Sequence, residues 1–253
     1  MKSYYHQHEI AYQQIQKKGF VGWGDKTSIQ ELGDPTTKKY LKNTIQNFFP
    51  KTNGFSALDL GCGTGTSAFQ LADLGFDVTG FDISETAIHM AQQFPESQNL
   101  RVKFQVQDIL NLENLDQKFD LIYDSHCLHC IVFEKDRSQV FTGVKSILNK
   151  NGYFVLDTMV THSQMNIVGS SEVLRFDKDY ILWHKVKDVD VYGVQIINNQ
   201  PWCAQRRIYP QEIVITEIMN AGFKIVSEQL DLQNVGEPSM LRLVLQAKTA
   251  FFK

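Results

Sequence analysis

The most constraining feature of the sequence is a short apolar segment that leads into three glycines at alternate positions. Residues 57–65 read Ala-Leu-Asp-Leu-Gly-Cys-Gly-Thr-Gly. This pattern predicts a β-strand ending in a tight turn, where glycine allows positive φ angles and a close approach of the backbone to a ligand. Dinucleotide-binding turns instead have the spacing G-x-G-x-x-G and bind a pyrophosphate. Because Asp59 would repel a phosphate, the segment favours a nucleoside that carries a cationic amine.

Three more acidic segments follow in order, namely Gly80–Ser84, Gln107–Ile109 and Phe119–Asp124. Each aspartate taken alone is compatible with a strand end or a helix cap. Asp82, however, lies about 17 residues after the last glycine of the turn, near the place of a ribose-binding acidic residue. Ser84 is better placed than Asp82 to cap the following helix. The set of four segments therefore favours a nucleoside site over four unrelated caps.

The segment Leu58–Gly65 resembles the first motif of the class I S-adenosylmethionine (SAM)-dependent methyltransferases, and the three later segments resemble the next motifs of that family. The resemblance implies SAM as cofactor and S-adenosylhomocysteine as product. It implies cofactor contacts for Asp59, Gly61, Cys62, Gly63, Gly65, Asp82, Ile83, Asp108, Ile109, Asp124 and Ser125. Within this set, Ile83 is expected on one face of the adenine, and Asp108 with Ile109 at its amino edge and other face. A simple turn cap remains the alternative for Asp108.

From Phe55 onward, predicted strands and helices alternate as in a parallel sheet that is covered on both faces. The predicted strands are Ser56–Leu60, Asp77–Phe81, Val102–Val106, Asp120–Asp124, Gly152–Asp157, Lys224–Leu230 and Met240–Ala247. Predicted helices include Thr66–Leu74, Asp136–Leu148 and one that starts at Pro210, with Ile213, Ile218 and Met219 facing the core. We expect an α/β fold with a Rossmann-like, seven-stranded, mostly parallel sheet and helices on both faces.

Two stretches lie outside this alternation. Residues 1–54 form an N-terminal extension, predicted to be helical at Tyr4–Lys17 and Thr36–Phe49. Residues 159–208 form an insertion after the fifth strand, with predicted strands Val173–Phe176, Tyr180–Val186 and Val191–Ile197. Residues 55–158 and 209–253 then form the SAM-binding core. Segments this long are usually functional or disordered, and their aromatic content argues against disorder. We expect both to cover a substrate.

Two His-Cys pairs follow the fourth strand in the segment Asp124-Ser-His-Cys-Leu-His-Cys. Its second half resembles the Leu-His-His element of the family, with Cys130 in place of the second histidine. His126 and His129 are three residues apart, which predicts a shared helical face at the methyl group and a role as general base or in orienting the acceptor. The alternatives are a packing histidine at 129 and a polar pocket wall at 126. Because four adjacent ligands cannot converge easily, no metal is expected.

Three residues outside the core are candidates for contact with the substrate. Trp23, in the segment Gly-Trp-Gly, resembles the tryptophan of several small-molecule methyltransferases that covers the methionine arm of SAM, although an anchor for the extension is the alternative. Trp202 and Arg206 lie in the insertion. Arg206 is suited to an acceptor carboxylate, with a solvated pair of arginines at 206 and 207 as the alternative.

Composition limits the partners. The formal net charge is −3, the isoelectric point is near 6.2 and no Lys/Arg run exceeds two residues, so a nucleic-acid partner is disfavoured. No apolar run approaches the roughly 20 residues of a membrane span. The first residues lack the apolar stretch of a signal peptide and the four cysteines show no repeated C-x-x-C pairing, which favours a cytoplasmic location. The oligomeric state stays open.

The sequence therefore predicts a SAM-dependent methyltransferase whose small-molecule acceptor is enclosed by the N-terminal segment and the insertion. Two alternatives remain. One is a methyltransferase that acts on a macromolecule, although the chain has Asp-Ser-His-Cys where many such relatives carry an Asn-Pro-Pro-Tyr segment. The other is a SAM-binding protein without catalysis, since a fold alone does not establish a function.

Overall fold

A computed structural model describes residues 3–94, 100, 102–162, 165, 171–187, 194–234 and 236–248. The helices are α1 (Ser3–Lys17), α2 (Pro35–Phe48), α3 (Thr66–Asp73), α4 (Glu85–Gln93), α5 (Glu134–Ile147) and α6 (Gln211–Asn220). The strands are β1 (Ser56–Leu60), β2 (Asp77–Asp82), β3 (Val102–Val106), β4 (Phe119–Ser125), β5 (Leu148–Val160), β6 (Leu174–Phe176), β7 (Ile181–Lys185), β8 (Val194–Ile197), β9 (Gln200–Arg207), β10 (Phe223–Asp231) and β11 (Ser239–Ala247). Short 3₁₀ turns lie at Ile29–Glu31, Ile109–Asn114 and Leu128–Cys130.

The main sheet has seven strands in the order β3-β2-β1-β4-β5-β11-β10. Strands β1 to β5 run parallel to one another, and β11 is antiparallel to both β5 and β10. This arrangement confirms the predicted fold class. The strand order reverses between β1 and β4, so a crevice opens at the carboxyl ends of these two strands, where ligands bind in sheets of this kind.

Alternating residues along the strands build one hydrophobic core on each face of the sheet. On β1, Leu58 and Leu60 belong to the cluster that includes Phe141 of α5, whereas Ala57 belongs to the opposite cluster, which includes Leu41 of α2. The period of two follows from the pleat of the strand. Both faces are covered, which accounts for the almost continuous apolar character of β1.

The N-terminal extension is held to the core by α1 and α2. Helix α1 packs on α4 through a cluster that includes Tyr12 and Met90. Glu9 of α1 accepts hydrogen bonds from Ser84 Oγ (2.6 Å) and Thr86 Oγ1 (2.5 Å) at the start of α4. Asp34 caps α2 by accepting hydrogen bonds from the backbone of the next two threonines, as expected for an N-cap aspartate followed by proline.

A buried ion pair within the main sheet holds the start of α2 through hydrogen bonds to Thr37. Arg242 of β11 lies 3.3 Å from Asp157 of β5, and neither side chain is more than 2% exposed. Thr37 of α2 donates a hydrogen bond from Oγ1 to Asp157 Oδ2 (3.1 Å) and accepts one from the Arg242 guanidinium (3.1 Å). The start of α2 is therefore fixed at the carboxyl end of β5, beside the crevice.

A second, antiparallel sheet of four strands follows β5, in the order β6-β7-β9-β8. Its apolar face packs Trp183, Trp202 and Ala204 against Val132, which follows β4. The predicted β-rich insertion is confirmed. Of the predicted strand Val191–Ile197, positions 191–193 lie outside the described residues, and Val194–Ile197 form β8.

Two details of the core differ from the predictions. Strand β5 begins at Leu148, not Gly152, because Leu148 already pairs with Phe119 of β4. In α6, Val214 and Ile218 are buried, whereas Ile213 and Met219 are 40% and 48% exposed. The helix thus presents its i, i+4 pair at 214 and 218 to the sheet, and the predicted inward direction of Ile213 and Met219 was wrong. No helix of the described residues combines the length and the apolar character that crossing a bilayer requires.

Candidate active site

The glycine turn after β1 forms the floor of a cavity at the carboxyl ends of β1, β2 and β4. Gly61, Gly63 and Gly65 have φ angles of 73°, 53° and 95°. A Cβ atom on Gly61 would collide with the Cys127 side chain, and one on Gly63 would collide with the Tyr12 hydroxyl. These two glycines line the cavity, as does Cys62. Gly65 does not line it, because its bare Cα is covered by Phe104 and Phe69; its role is packing.

Asp82 lies at the end of β2 with both carboxylate oxygens held by the backbone. Oδ2 accepts a hydrogen bond from Gly63 N–H (2.8 Å), and Oδ1 accepts one from Ser84 N–H (2.9 Å). Burial raises the pKa of this carboxyl group above its ordinary value. Ser84 caps α4 through its own hydroxyl, so Asp82 is not needed there. Each oxygen keeps a lone-pair site toward the cavity.

Asp59 is a buried carboxyl group with no ion-pair partner among the described residues. It is 2% exposed, it lines the cavity, and its Oδ2 has no hydrogen-bond partner among the described residues. Burial, together with the neighbouring carboxyl groups of Asp124 and Asp82, raises the pKa of Asp59 to about 8 despite a hydrogen bond from the Ala68 backbone. An uncompensated buried carboxylate is costly, so this position suits a cationic ligand group.

Asp124 serves the turn after β4 instead of the cavity wall. It is fully buried, and its Oδ1 accepts hydrogen bonds from Cys127 N–H (2.9 Å) and Leu128 N–H (3.2 Å). Burial raises the pKa of Asp124 to about 7. It does not line the cavity, whereas the next residue, Ser125, does. Asp124 therefore positions the turn after β4 and does not face the cavity, where a direct contact with the cofactor had been predicted.

The side of the cavity beyond β2 contains Ile83, Asp108 and Ile109, which the structure brings together as expected. Asp108 also caps the 3₁₀ turn that follows it, because its Oδ1 accepts a hydrogen bond from Leu110 N–H (2.9 Å). Asp108 therefore caps the turn and also lines the cavity.

His126 and His129 both line the cavity, with ring centroids 5.6 Å apart, but they do not share a helical face. His126 has a φ angle of 69° and lies before the 3₁₀ turn that contains His129. Its backbone N–H donates to Asp157 O (3.0 Å), which fixes this left-handed conformation. The prediction of a helical face was wrong, because the chain has to turn sharply at the end of β4.

The two imidazoles have different surroundings. His129 is 2% exposed, and its Nδ1 accepts a hydrogen bond from Met159 N–H (3.3 Å) and lies 3.3 Å from Thr158 Oγ1. Acceptance at Nδ1 assigns the proton of the neutral ring to Nε2. His126 Nε2 is buried and has no hydrogen-bond partner among the described residues. Burial lowers the pKa of both rings, and that of His129 falls well below its ordinary value.

The N-terminal extension supplies much of the cavity wall. Trp23 lines it while remaining 52% exposed, and its Nε1–H donates to Tyr12 Oη (2.9 Å). His8 and Tyr12 of α1 also line the cavity; burial, followed by the nearby Arg206, lowers the pKa of His8 to about 4. Sequence reasoning missed His8 and Tyr12. The only signal for them was the length of the extension.

Of the two candidates from the insertion, the structure brings only Arg206 to the cavity. Trp202 is 9% exposed and packs in the apolar face of the second sheet. It belongs to the core of that sheet, so the predicted contact with the acceptor was wrong. Met159, at the end of β5, lines the cavity beside Arg206 and was not predicted. Within the described part of the chain, no group of three or more His, Cys, Asp or Glu residues could hold a metal ion.

The sheet order, the glycine turn and the acidic residues at the ends of β1 and β2 define the class I SAM-dependent methyltransferase fold. Residues 51–213, more than half of the chain, match the family described as a methyltransferase domain, and the chain belongs to that family.

Known proteins of this kind are similar to the chain at low identity. A protein of Geobacillus sp. (strain WCH70), named as a methyltransferase, is 32% identical over 150 residues, which cover 59% of this chain and 60% of that protein. A ubiquinone biosynthesis O-methyltransferase of Coxiella burnetii is 30% identical over 128 residues, which cover 51% of each chain. The chain thus aligns with 60% or less of the length of these relatives.

Solved structures share the fold. A SAM-dependent methyltransferase from Clostridium acetobutylicum superimposes with a TM-score of 0.64 at 18% identity, covering 87% of this chain and 94% of that chain. The magnesium protoporphyrin IX methyltransferase from Synechocystis, solved with bound S-adenosylhomocysteine, superimposes with a TM-score of 0.58 at 16% identity, covering 84% and 83%.

Proposed function

We propose that the protein binds SAM and transfers its methyl group to a small-molecule acceptor within the cavity. The observation that carries this proposal is that carboxyl and imidazole side chains line the same cavity of about 380 Å³. Carboxyl groups at the ends of β1 and β2 lie on one side, and a buried imidazole nitrogen without a partner, Nε2 of His126, lies on the other.

The residues of the acidic side fit the cofactor. Asp82 keeps free lone pairs that can accept hydrogen bonds from two ribose hydroxyls, and charge-assisted bonds of this kind are stronger than neutral ones. The partnerless Oδ2 of Asp59 suits the cationic amine of the methionine arm. The positive φ angles of Gly61 and Gly63 let the turn pass beside the cavity, which both residues line. The magnesium protoporphyrin methyltransferase, which has this fold and was solved with S-adenosylhomocysteine, supports the assignment.

When bound, SAM supplies a methyl carbon on a sulfonium, and a lone pair of the acceptor forms the new bond as the carbon–sulfur bond breaks, leaving S-adenosylhomocysteine. The protein contributes orientation and the exclusion of water. For a hydroxyl acceptor it must also remove a proton. Nε2 of His126 is the group available for this step, because the neutral ring of His129 carries its proton on Nε2 and uses Nδ1 as an acceptor from Met159 N–H.

A small acceptor is favoured over a macromolecule because α1 and the segment around Trp23 form a wall over the cavity. Enclosure comes mainly from residues 1–54, and Met159 and Arg206 are the lining residues that the described part of the 159–208 segment contributes. The similar protein of Coxiella burnetii is named for ubiquinone biosynthesis and the similar structure from Synechocystis for a porphyrin, both small molecules.

The test combines calorimetry with mass spectrometry. SAM should bind the purified protein, and incubation with SAM and cell extract should yield S-adenosylhomocysteine and a small molecule heavier by one CH₂. No binding of SAM would refute the proposal. Binding without turnover would favour a SAM-binding protein without catalysis, and label in protein or RNA would favour a macromolecular acceptor.

A further inference from the structure

Arg206 is a cation at the cavity that has no ion-pair partner among the described residues. It lies on β9 and lines the cavity, and its Nε is buried without a hydrogen-bond partner among the described residues. The contacts of its guanidinium are with sulfur: Nη1 lies 3.9 Å from Met159 Sδ, and the side chain also contacts Cys130. Sulfur is a weak hydrogen-bond acceptor, so these contacts leave most of the donor capacity of the guanidinium unused.

Other arginines with little exposure are paired with carboxylates. Arg137 lies 2.6 Å from Glu217, Arg207 lies 3.8 Å from Glu134, and Arg242 lies 3.3 Å from Asp157. None of the ion pairs found in the described ranges includes Arg206. Arg206 is partly buried and its Nε is buried without a partner, so an anionic group of a ligand would relieve the cost of this unpaired charge.

Three histidine rings lie within electrostatic reach of Arg206. Its charge contributes to the lowered pKa values of three nearby rings, those of His8, His126 and His129. This end of the cavity therefore holds Arg206 and three imidazoles, together with the Asp34 carboxylate, which caps α2. Asp157, which also acts on His126, is paired with Arg242. The acidic groups Asp59 and Asp82 lie at the other end, beside the glycine turn. The acidic end of the cavity, at Asp59 and Asp82, suits a cationic ligand group, and the basic end, at Arg206, suits an anionic one.

We propose that the methyl acceptor carries a carboxylate, which Arg206 binds so that the acceptor's nucleophilic atom lies beside His126. This inference rests on the proposed function and names its substrate class. The guanidinium is planar and presents paired N–H donors that match a carboxylate in two parallel hydrogen bonds. Arg206 is then a specificity-determining residue, since the bond to the carboxylate selects and orients the acceptor without taking part in the transfer.

The test uses a pair of planar probes that differ in charge. The protein is saturated with S-adenosylhomocysteine, and benzoate and benzamide are titrated against it with detection by NMR. We expect benzoate to bind about tenfold more tightly than benzamide, because it adds charge-assisted hydrogen bonds. Arg206→Gln should abolish this preference. Arg175→Gln is the matched control, since it removes the same charge from the same sheet at a position that does not line the cavity, and it should retain the preference.

Several outcomes would overturn the proposal. These are equal binding of the two probes, no binding of benzoate at millimolar concentration, and a preference that survives in Arg206→Gln. Tighter binding of phenyl phosphate than of benzoate would replace the carboxylate with a phosphate. A loss of S-adenosylhomocysteine affinity in Arg206→Gln would assign the guanidinium to the cofactor's own carboxylate. If S-adenosylhomocysteine does not bind at all, the proposed function fails, and the preference for benzoate is then measured on the unloaded protein.

Discussion

The two ends of the cavity are built in different ways. At the acidic end, polar groups come from consecutive strand ends of the main sheet and are tied to the backbone, as in the two N–H bonds to Asp82. At the basic end, the groups come from α1, the turn after β4 and β9, and two of them, His126 Nε2 and Arg206 Nε, lack partners. Asp59 Oδ2 at the acidic end also lacks a partner, so the two ends differ mainly in where their residues come from. The acidic end is built from strand ends of one sheet, whereas the basic end is assembled from elements that are far apart in the sequence.

The largest effect is expected from removing the proton acceptor of the basic end. His126→Gln keeps a polar side chain but cannot take a proton near neutral pH, so kcat should fall by about 10²–10⁴-fold for a hydroxyl acceptor while SAM affinity is unchanged. Burial lowers the pKa of His126 below 6.5, so the parent's rate should rise with pH through an ionisation below that value. The measurement is the rate of S-adenosylhomocysteine formation between pH 5 and 8.

His89→Gln is the control for this variant, since His89 is exposed on α4 and does not line the cavity. If His126→Gln and His129→Gln both remain active, neither ring is the base, and the acceptor is a nucleophile that needs no deprotonation. Activity that is lost on adding a chelator would instead indicate a metal.

The next largest effect is a loss of SAM affinity when the acidic end of the cavity is changed. Asp82→Ala removes the expected acceptor of the ribose hydroxyls and should weaken SAM binding by roughly 2–4 kcal/mol, since each charge-assisted bond contributes about 1.5–3 kcal/mol and the two are not additive. Calorimetry measures the affinity. Asp77→Ala, at the exposed start of the same strand, should bind SAM as the parent does. An unchanged affinity in Asp82→Ala would contradict the assignment of this end to the cofactor.

Asp59 is expected to make the stability of the empty protein depend on pH. Its pKa rises from 3.8 to about 8 on folding, so between these values the folded state retains a proton that the unfolded chain releases. Stability should therefore decrease as the pH rises through this window, by at most about 1.4 kcal/mol per pH unit, and level off above it. Asp59→Asn carries no such titration.

The asparagine variant should accordingly melt at a higher temperature than the parent at pH 7–8 and at a similar temperature near pH 4, yet bind SAM more weakly. Thermal melts across this pH range, with calorimetry at pH 7, test both parts. Equal melting temperatures at pH 8 would mean that Asp59 is charged in the empty protein and has a compensating partner.

The smallest effect concerns the wall over the cavity. If Trp23 and its neighbours close over bound ligand, S-adenosylhomocysteine should slow tryptic cleavage at the exposed Lys26 by a few fold. Cleavage at Lys178, an exposed residue between β6 and β7, should be unaffected and serves as the internal control. Equal rates at Lys26 with and without ligand would make this segment a fixed structural element.

The acidic end was largely predictable because each of its acidic residues lies in a short segment at the end of a strand. Asp59 and Asp82 follow strands with clear patterns, and parallel strands bring such positions to one edge. Gly65 and Asp124 resemble cofactor residues in sequence, yet one is covered by phenylalanines and the other holds backbone N–H groups.

The basic end was only partly predictable. The left-handed turn at His126 depends on a hydrogen bond to Asp157, more than 30 residues away, and no local pattern encodes it. The places of His8 and Tyr12 depend on how α1 packs against α4. Alternation along β9 explains why neighbouring arginines diverge, with Arg206 at the cavity and Arg207 bound to Val132 O, but it does not say which of the two faces inward.

The uneven burial of the three tryptophans gives the protein a built-in optical probe. Trp183 and Trp202 are 3% and 9% exposed within the second sheet, whereas Trp23 is 52% exposed at the cavity. Emission from the two buried indoles should stay constant when ligand binds. A blue shift, or protection from iodide quenching, would then arise from Trp23 alone, so occupancy of the cavity can be followed in the native chain without a label.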